Sequence, residues 1–166
     1  QFVIFTLDTN LPSNSYTSTI TSFPGVQVPN PSQLIQVTIG NLVTSISEIV
    51  FSTAPSLQSL VIGNSVTSIG ADAFANCDLL SSVTFTPTSK LLSIGENAFY
   101  NCTALQSIAI PNSVTSIGGN GGSAFRSTSI NTVIISTATA IVLGKTSPAL
   151  NVDFFGRTVE TKTITP

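Results

Sequence analysis

Five short segments of the chain share one apolar pattern: "LIQVTI" from Leu34, "LQSLVI" from Leu57, "LSSVTF" from Leu80, "LQSIAI" from Leu105 and "INTVII" from Ile130. Their starts are 23, 23, 25 and 25 residues apart, by subtraction of those positions. Each start is followed by a second apolar pair, at Val43/Ile46, Val66/Ile69, Leu91/Ile94 and Val114/Ile117. Three units then carry Ala-Phe, at Ala73-Phe74, Ala98-Phe99 and Ala124-Phe125. Two close on Asn-Cys, at Asn76-Cys77 and Asn101-Cys102. A period of this length is the signature of a stacked coil, in which every lap must present its neighbour with the same shape.

The period fixes much of the local structure. In each start the apolar positions face inward as a short strand, and one residue between them faces out: Thr38, Val61, Thr84, Ala109 and Ile134. Equivalent strands on successive laps pair in parallel about 4.8 Å apart, so five laps make one sheet roughly 20 Å across. The Ala-Phe segment is expected as a short helical or 3-10 turn on the opposite side, its Phe filling the interior. The longer laps carry insertions in Pro- and Gly-rich places, "TPTSK" (86–90) where another lap has "GNS", and "GGNGG" (118–122). A coil that returns to the same place can only bulge such residues outward. The predicted architecture is thus mostly β, a right-handed solenoid with one strand per repeat of about 23 residues. Its repeats occupy 34–135, between an N-terminal β cap over 1–33 and a C-terminal cap over 136–166. "FVIFTLDTN" and "SYTSTITSFPG" read as strands of the first cap, and "TATAIVLG" and "RTVETKTITP" as strands of the second. Caps are required because an open solenoid end exposes unpaired backbone and bare apolar coil.

The repeat resembles the BspA-like, or Treponema-type, leucine-rich repeats. "LQSIAIPNSVTSIG" (105–118) and "SIGADAFANCDLL" (68–80) follow that family's unit nearly position for position, and the likeness runs from about 34 to 133. The first unit departs from it, with Val50-Phe51 in place of Ala-Phe and no Cys, and the fourth lacks its Cys. The resemblance implies a leucine-rich-repeat fold and an extracellular or cell-surface protein of a microbe, or of a viral or parasite relative, acting by adhesion or protein contact. It carries over no catalytic residue and no cofactor.

Composition narrows the function classes. Charged residues are 7% of the 166, and the formal net charge is −2. An average domain has about 25%, so Ser, Thr and Asn must supply the polar surface. The five basic residues, Lys90, Arg126, Lys145, Arg157 and Lys162, are scattered, whereas nucleic-acid binding needs them clustered. No apolar run reaches the length of a membrane span. The chain opens at Gln1, which is expected of a processed product or a fragment.

Nothing in the sequence assembles a catalytic or metal site. There is no His, so the commonest general base and metal ligand is missing. Glu48 and Glu96 occupy one repeat position two laps apart, about 10 Å by sheet spacing. That separation suits a pair of hydrolytic carboxylates, but solubilising charge on loops is the favoured reading. Cys77 and Cys102 share a repeat position and are expected to stack. They are read as buried free thiols, with an inter-lap disulfide as the alternative, and two Cys without His are too few for zinc. Asn101-Cys102-Thr103 is a glycosylation sequon by rule, read as chance because its Cys faces inward. Carbohydrate binding is disfavoured by the absence of Trp, leaving Tyr16 and Tyr100 as aromatic platforms. The expected function is therefore protein contact without catalysis, with Thr38, Val61, Thr84, Ala109 and Ile134 as the contact ladder. The Thr44/Thr67/Thr115 and Ser45/Ser68/Ser93/Ser116 ladders are expected to hydrogen-bond along the stack. The competing reading is a self-assembling structural subunit of a filament or virion surface.

Overall fold

A computed structural model describes residues 15–17, 22–23, 31–119, 123–135 and 142–143. Each lap from Leu34 onward holds a four-residue strand and a two-residue strand separated by a turn. The long strands are β3 (Gln36–Ile39), β5 (Ser59–Ile62), β7 (Ser82–Phe85), β9 (Ser107–Ile110) and β11 (Thr132–Ile135). The short ones are β4 (Ser45–Ile46), β6 (Ser68–Ile69), β8 (Ser93–Ile94) and β10 (Ser116–Ile117). Ahead of them, β1 (Ser15–Thr17) pairs in parallel with β3, and β2 (Ser22–Phe23) with β4. Past them, β12 (Val142–Leu143) pairs with β10. These three strands fall within the segments expected as caps, and each adds a parallel rung to a repeat sheet. The "FVIFTLDTN" and "RTVETKTITP" strands lie outside the described residues.

Register follows the repeat. Val37 pairs with Leu60 and Leu60 with Val83, while Ile46, Ile69, Ile94 and Ile117 form one ladder. All of these inward residues are buried, as are Leu34, Leu57, Leu80, Leu105 and Ile130. Phe51, Phe74, Phe99 and Phe125 make one column through the coil. Successive centroids are 5.2, 5.4 and 5.3 Å apart, with planes within 10° of parallel. Burial of such rings supplies much of the driving force. No lap can bury its own ring, so each depends on the next.

The long-strand sheet is not continuous. Its order is β1-β3-β5-β7 in one piece and β11-β9 in another, whereas the short-strand sheet runs unbroken from β12 to β2. The expected single sheet of five laps is therefore split between β7 and β9. Two features of the third lap coincide with the split. Phe85 stands where the neighbouring laps have Ile62 and Ile110, and it is only partly buried against the core. The loop after it, Thr86 to Lys90, is two residues longer than "GNS" in the second lap. A larger ring and a longer loop at one strand end splay that lap from the next.

The Ala-Phe segments are turns, and the 3-10 element among the described residues is Pro31–Gln33. Alternate amides bond across laps, while those between them close tight turns within the lap, as from Ser52 to Ile49, Ala75 to Asp72 and Tyr100 to Asn97. Ile49, Phe51 and Thr53 N–H donate to the carbonyls of Ala71, Ala73 and Ala75, and Asp72, Phe74 and Asn76 repeat this toward Glu96, Ala98 and Tyr100. Phe99 and Asn101 continue it to Ala124 and Arg126. All of these bonds run from one lap to the next. The geometry requires left-handed residues at fixed places: Ile49, Asp72 and Asn97 at one, Thr53, Asn76, Asn101 and Ser127 at the other. Laps also come very close where the short strand ends. A Cβ built on Gly95 lies 2.7 Å from the Ala71 backbone nitrogen, which explains the Gly of the repeated "SIG".

Candidate functional site: the uncharged strand face

The long strands alternate, with Val37, Leu60, Val83 and Ile108 turned inward and their neighbours outward. Two outward rows result. Gln36, Ser59 and Ser82 are in register, as are Ser107 and Thr132; beside them run Thr38, Val61 and Thr84, then Ala109 and Ile134. The expected contact ladder therefore exists as three residues and two, interrupted at the split between Thr84 and Ala109. Thr38 and Val61 are half-buried, Thr84 and Ala109 are exposed, and Ile134 is 58% exposed.

No long strand carries a charged residue. The charged residues of the described repeats lie elsewhere. Glu48, Asp72, Asp78, Glu96 and Arg126 belong to the turn side, and Lys90 to the inserted loop. There Asp78 Oδ1 accepts from Asn101 Nδ2 at 3.1 Å, and the Arg126 guanidinium lies over the Tyr100 ring, 5.9 Å from its centroid. Glu48 and Glu96, the pair considered for hydrolysis, are both exposed. Among the described residues no group of three or more His, Cys, Asp and Glu gathers, and no helix is long and apolar enough to cross a membrane.

On the short-strand side two threonine hydroxyls bond along the stack. Thr67 Oγ1 donates to the Thr44 carbonyl at 2.9 Å, and Thr115 Oγ1 to that of Leu92 at 3.2 Å. Exposed Leu92 interrupts this threonine row. Ser45, Ser68, Ser93 and Ser116 stand in register through their backbones.

Cys77 and Cys102 are buried free thiols. Each closes a gap that the one-way turn bonds leave: Cys77 Sγ–H donates to the Phe51 carbonyl at 3.4 Å, and Cys102 to that of Phe74 at 3.3 Å. Contact with the Cys77 thiol, together with burial, holds the Cys102 thiol well above the ordinary cysteine range. In the fourth lap Thr128 takes this position, but its Oγ1 donates within its own lap, to the Phe125 carbonyl at 2.8 Å. The donor role of the two thiols escapes the sequence reading. Asn101 Nδ2 is shared between Asn76 Oδ1 and Asp78 Oδ1, and its neighbour Cys102 is buried. The sequon is thus tied into the stack.

Comparison with known proteins agrees with this geometry. The family described as BspA type leucine rich repeat region matches residues 29–145 in 6 copies. A leucine-rich repeat protein from Eubacterium ventriosum superposes with a TM-score of 0.59 at 20% identity, over 76% of this chain and 40% of that one. One from Bacteroides ovatus gives 0.53 at 22% identity, over 81% and 40%. One from Bacteroides capillosus gives 0.50 at 29% identity, over 74% and 88%. The chain thus spans well under half the length of the first two. No curated protein matches the sequence.

Proposed function

Because the chain belongs to the BspA-type leucine-rich repeat family, we propose that it is a non-enzymatic contact module that binds another protein through its uncharged strand face, at a cell surface or outside the cell. One observation carries this reading: the outward rows through Thr38, Val61, Thr84, Ala109 and Ile134 hold no charge, while the charges of the repeats sit on the turn side and the inserted loop. A charge-free, partly apolar strip is cheap to desolvate, and a regular face of this kind is what repeat proteins offer to partners. A surface rich in Ser, Thr and Asn supports the extracellular setting.

The test is binding of labelled protein to intact cells of the candidate host and to their extracted surface proteins. Val61→Lys with Ile134→Lys should abolish binding, because an unpaired charge must then be desolvated in the contact. Glu48→Lys on the turn side should leave it unchanged. Equal loss in the turn-side control, or full binding by the strand-face variant, overturns the reading. Sedimentation over a concentration series separates the self-assembling alternative. Mass that grows with concentration, and falls back in the strand-face variant, assigns the face to contacts between copies.

A further inference from the structure

The split in the long-strand sheet opens a notch of about 240 Å³ at the C-terminal ends of β7 and β9, where Phe85, Thr86 and Pro87 of the third lap face Ala109, Ile110 and Pro111 of the fourth. We propose that this junction is a hinge. The coil opens and closes between β7 and β9 on its long-strand side, and pivots on the bonded sides that still join the two laps. Opening separates Thr84 from Ala109 and so changes the curvature of the outward rows. The hinge stands whether or not a partner binds those rows.

The backbone bonds that tie other long strands together are missing at this junction. Where a long strand begins, an amide donates to the lap before it, from Gln58 to Ile35, from Ser81 to Gln58 and from Asn131 to Gln106. The bond this series calls for, from Gln106 to the Ser81 carbonyl, is absent among the described residues, and β7 and β9 are not bonded neighbours. At the other end of β7, Thr86 N–H donates to the Ile62 carbonyl at 3.1 Å. Pro111 holds that place in the fourth lap, and proline has no N–H to give. Parting β7 from β9 therefore breaks no ladder bond. The other sides of the junction are bonded and supply the pivot. There β8 pairs with β10, Gly118 N–H donates to the Ile94 carbonyl at 2.9 Å, and Phe99 and Asn101 N–H donate to Ala124 and Arg126. Ser113 Oγ donates toward the Leu91 carbonyl at 2.7 Å and the Ser89 carbonyl at 3.1 Å, pinning the chain between β9 and β10 to the third lap. On the open side β9 moves with β11, to which it is bonded. Just past β10, Gly118 and Gly119 stand at φ 85 and φ 57. Glycine moves through that region without a Cβ to clash, as suits a corner that must absorb dihedral change.

Pulsed electron spin resonance on the full chain tests the hinge, with nitroxides on cysteines introduced in pairs. One pair, Gln36→Cys with Ser107→Cys, lies on the long-strand side, and the other, Thr44→Cys with Thr115→Cys, on the short-strand side. Each pair spans the first to the fourth lap, about 14 Å of sheet spacing. Cys77 and Cys102 are buried away from the label, and mass spectrometry selects chains carrying two nitroxides. The long-strand pair should give a distance distribution at least about twofold wider than the short-strand pair. Phe85→Ile with Pro111→Ala restores the side chain of the neighbouring laps and a donor toward the carbonyl of residue 85. That double variant should narrow the long-strand distribution to the width of the other and leave the other unchanged. In the unsubstituted chain, ¹⁵N relaxation dispersion should show microsecond-to-millisecond exchange at Ser107 and Ala109 and none at Ser116 and Ile117. Equal widths for the two pairs, a long-strand width unmoved in the folded double variant, or equal exchange in β9 and β10 each overturn the hinge. If the double variant does not fold, the exchange contrast in the unsubstituted chain decides. Failure of every partner to bind the strand face leaves these readouts as they are.

Discussion

Ile49 is a β-branched residue held at φ 53, and Thr53, four residues on, is another at φ 59. In later laps the same two places hold Asp72 and Asn97, then Asn76, Asn101 and Ser127. Short polar side chains tolerate the left-handed region, whereas a Cβ branch there costs about 1–2 kcal/mol. The stack imposes the conformation on all laps alike, because the inter-lap bonds of the turn depend on it. Ile49→Asn should therefore raise stability by about 1 kcal/mol, seen as a higher denaturation midpoint at unchanged slope. The sequence displayed the recurring Asn and Asp without saying why they recur. Backbone handedness leaves a mark only where residue choice obeys it, and the first lap does not.

At the scale of the element, the strands were legible and the turns were not. The inward rows of β3 to β11 follow from alternation alone. The Ala-Phe segments place polar residues four apart, as at Asp72 and Asn76, which reads equally well as a helical turn. What decides against a helix is the neighbouring lap, whose carbonyls take every second amide of the segment, and no window of a single lap contains that information. The same column explains the thiols. Phe51 and Phe74 carbonyls point into the coil and need donors, and Cys77 and Cys102 supply them. The folded Cys102 thiol keeps its proton at a pH where the unfolded chain, with an ordinary value of about 8.5, releases it. Above that pH the native state binds more protons than the unfolded one, so stability falls as pH rises, and below it the contribution is fully present. Denaturant midpoints between pH 7 and pH 10 should show this decline, and Cys102→Ala should flatten it.

Across the whole molecule, stability is distributed unevenly between the two sides of the coil. The short-strand sheet and the phenylalanine column cross from the third lap to the fourth without interruption, while the long-strand sheet does not. Hydrogen exchange should expose this asymmetry. Amides of β7 and β9 that face the split should exchange faster than those joining β8 to β10, although the laps are the same. Equal protection on both sides would contradict the split. The repeat period located the inserted loop and the odd Phe85 separately. Their joint effect, an opened sheet with a notch beside the outward row, needed the packing of two laps together. Ahead of 34, β1 and β2 carry both sheets onward, and past 135, β12 carries the short-strand sheet, so parallel pairing crosses both of the expected bounds of the repeats.

The inter-lap bonds of the turns all run one way, from a lap to its successor, while those at the ends of the short strands, from the Gly70, Gly95 and Gly118 amides to the Ile46, Ile69 and Ile94 carbonyls, run the other way, so each side of the coil has a polarity of its own. Within one side each bonded peptide dipole adds to the one before it, as in an α-helix. A newcomer can join such a rod only in the same sense, tail onto head. Each lap also offers its successor what it took from its predecessor, so the geometry has no stop of its own, and length is governed by where the sequence ceases to spell the unit.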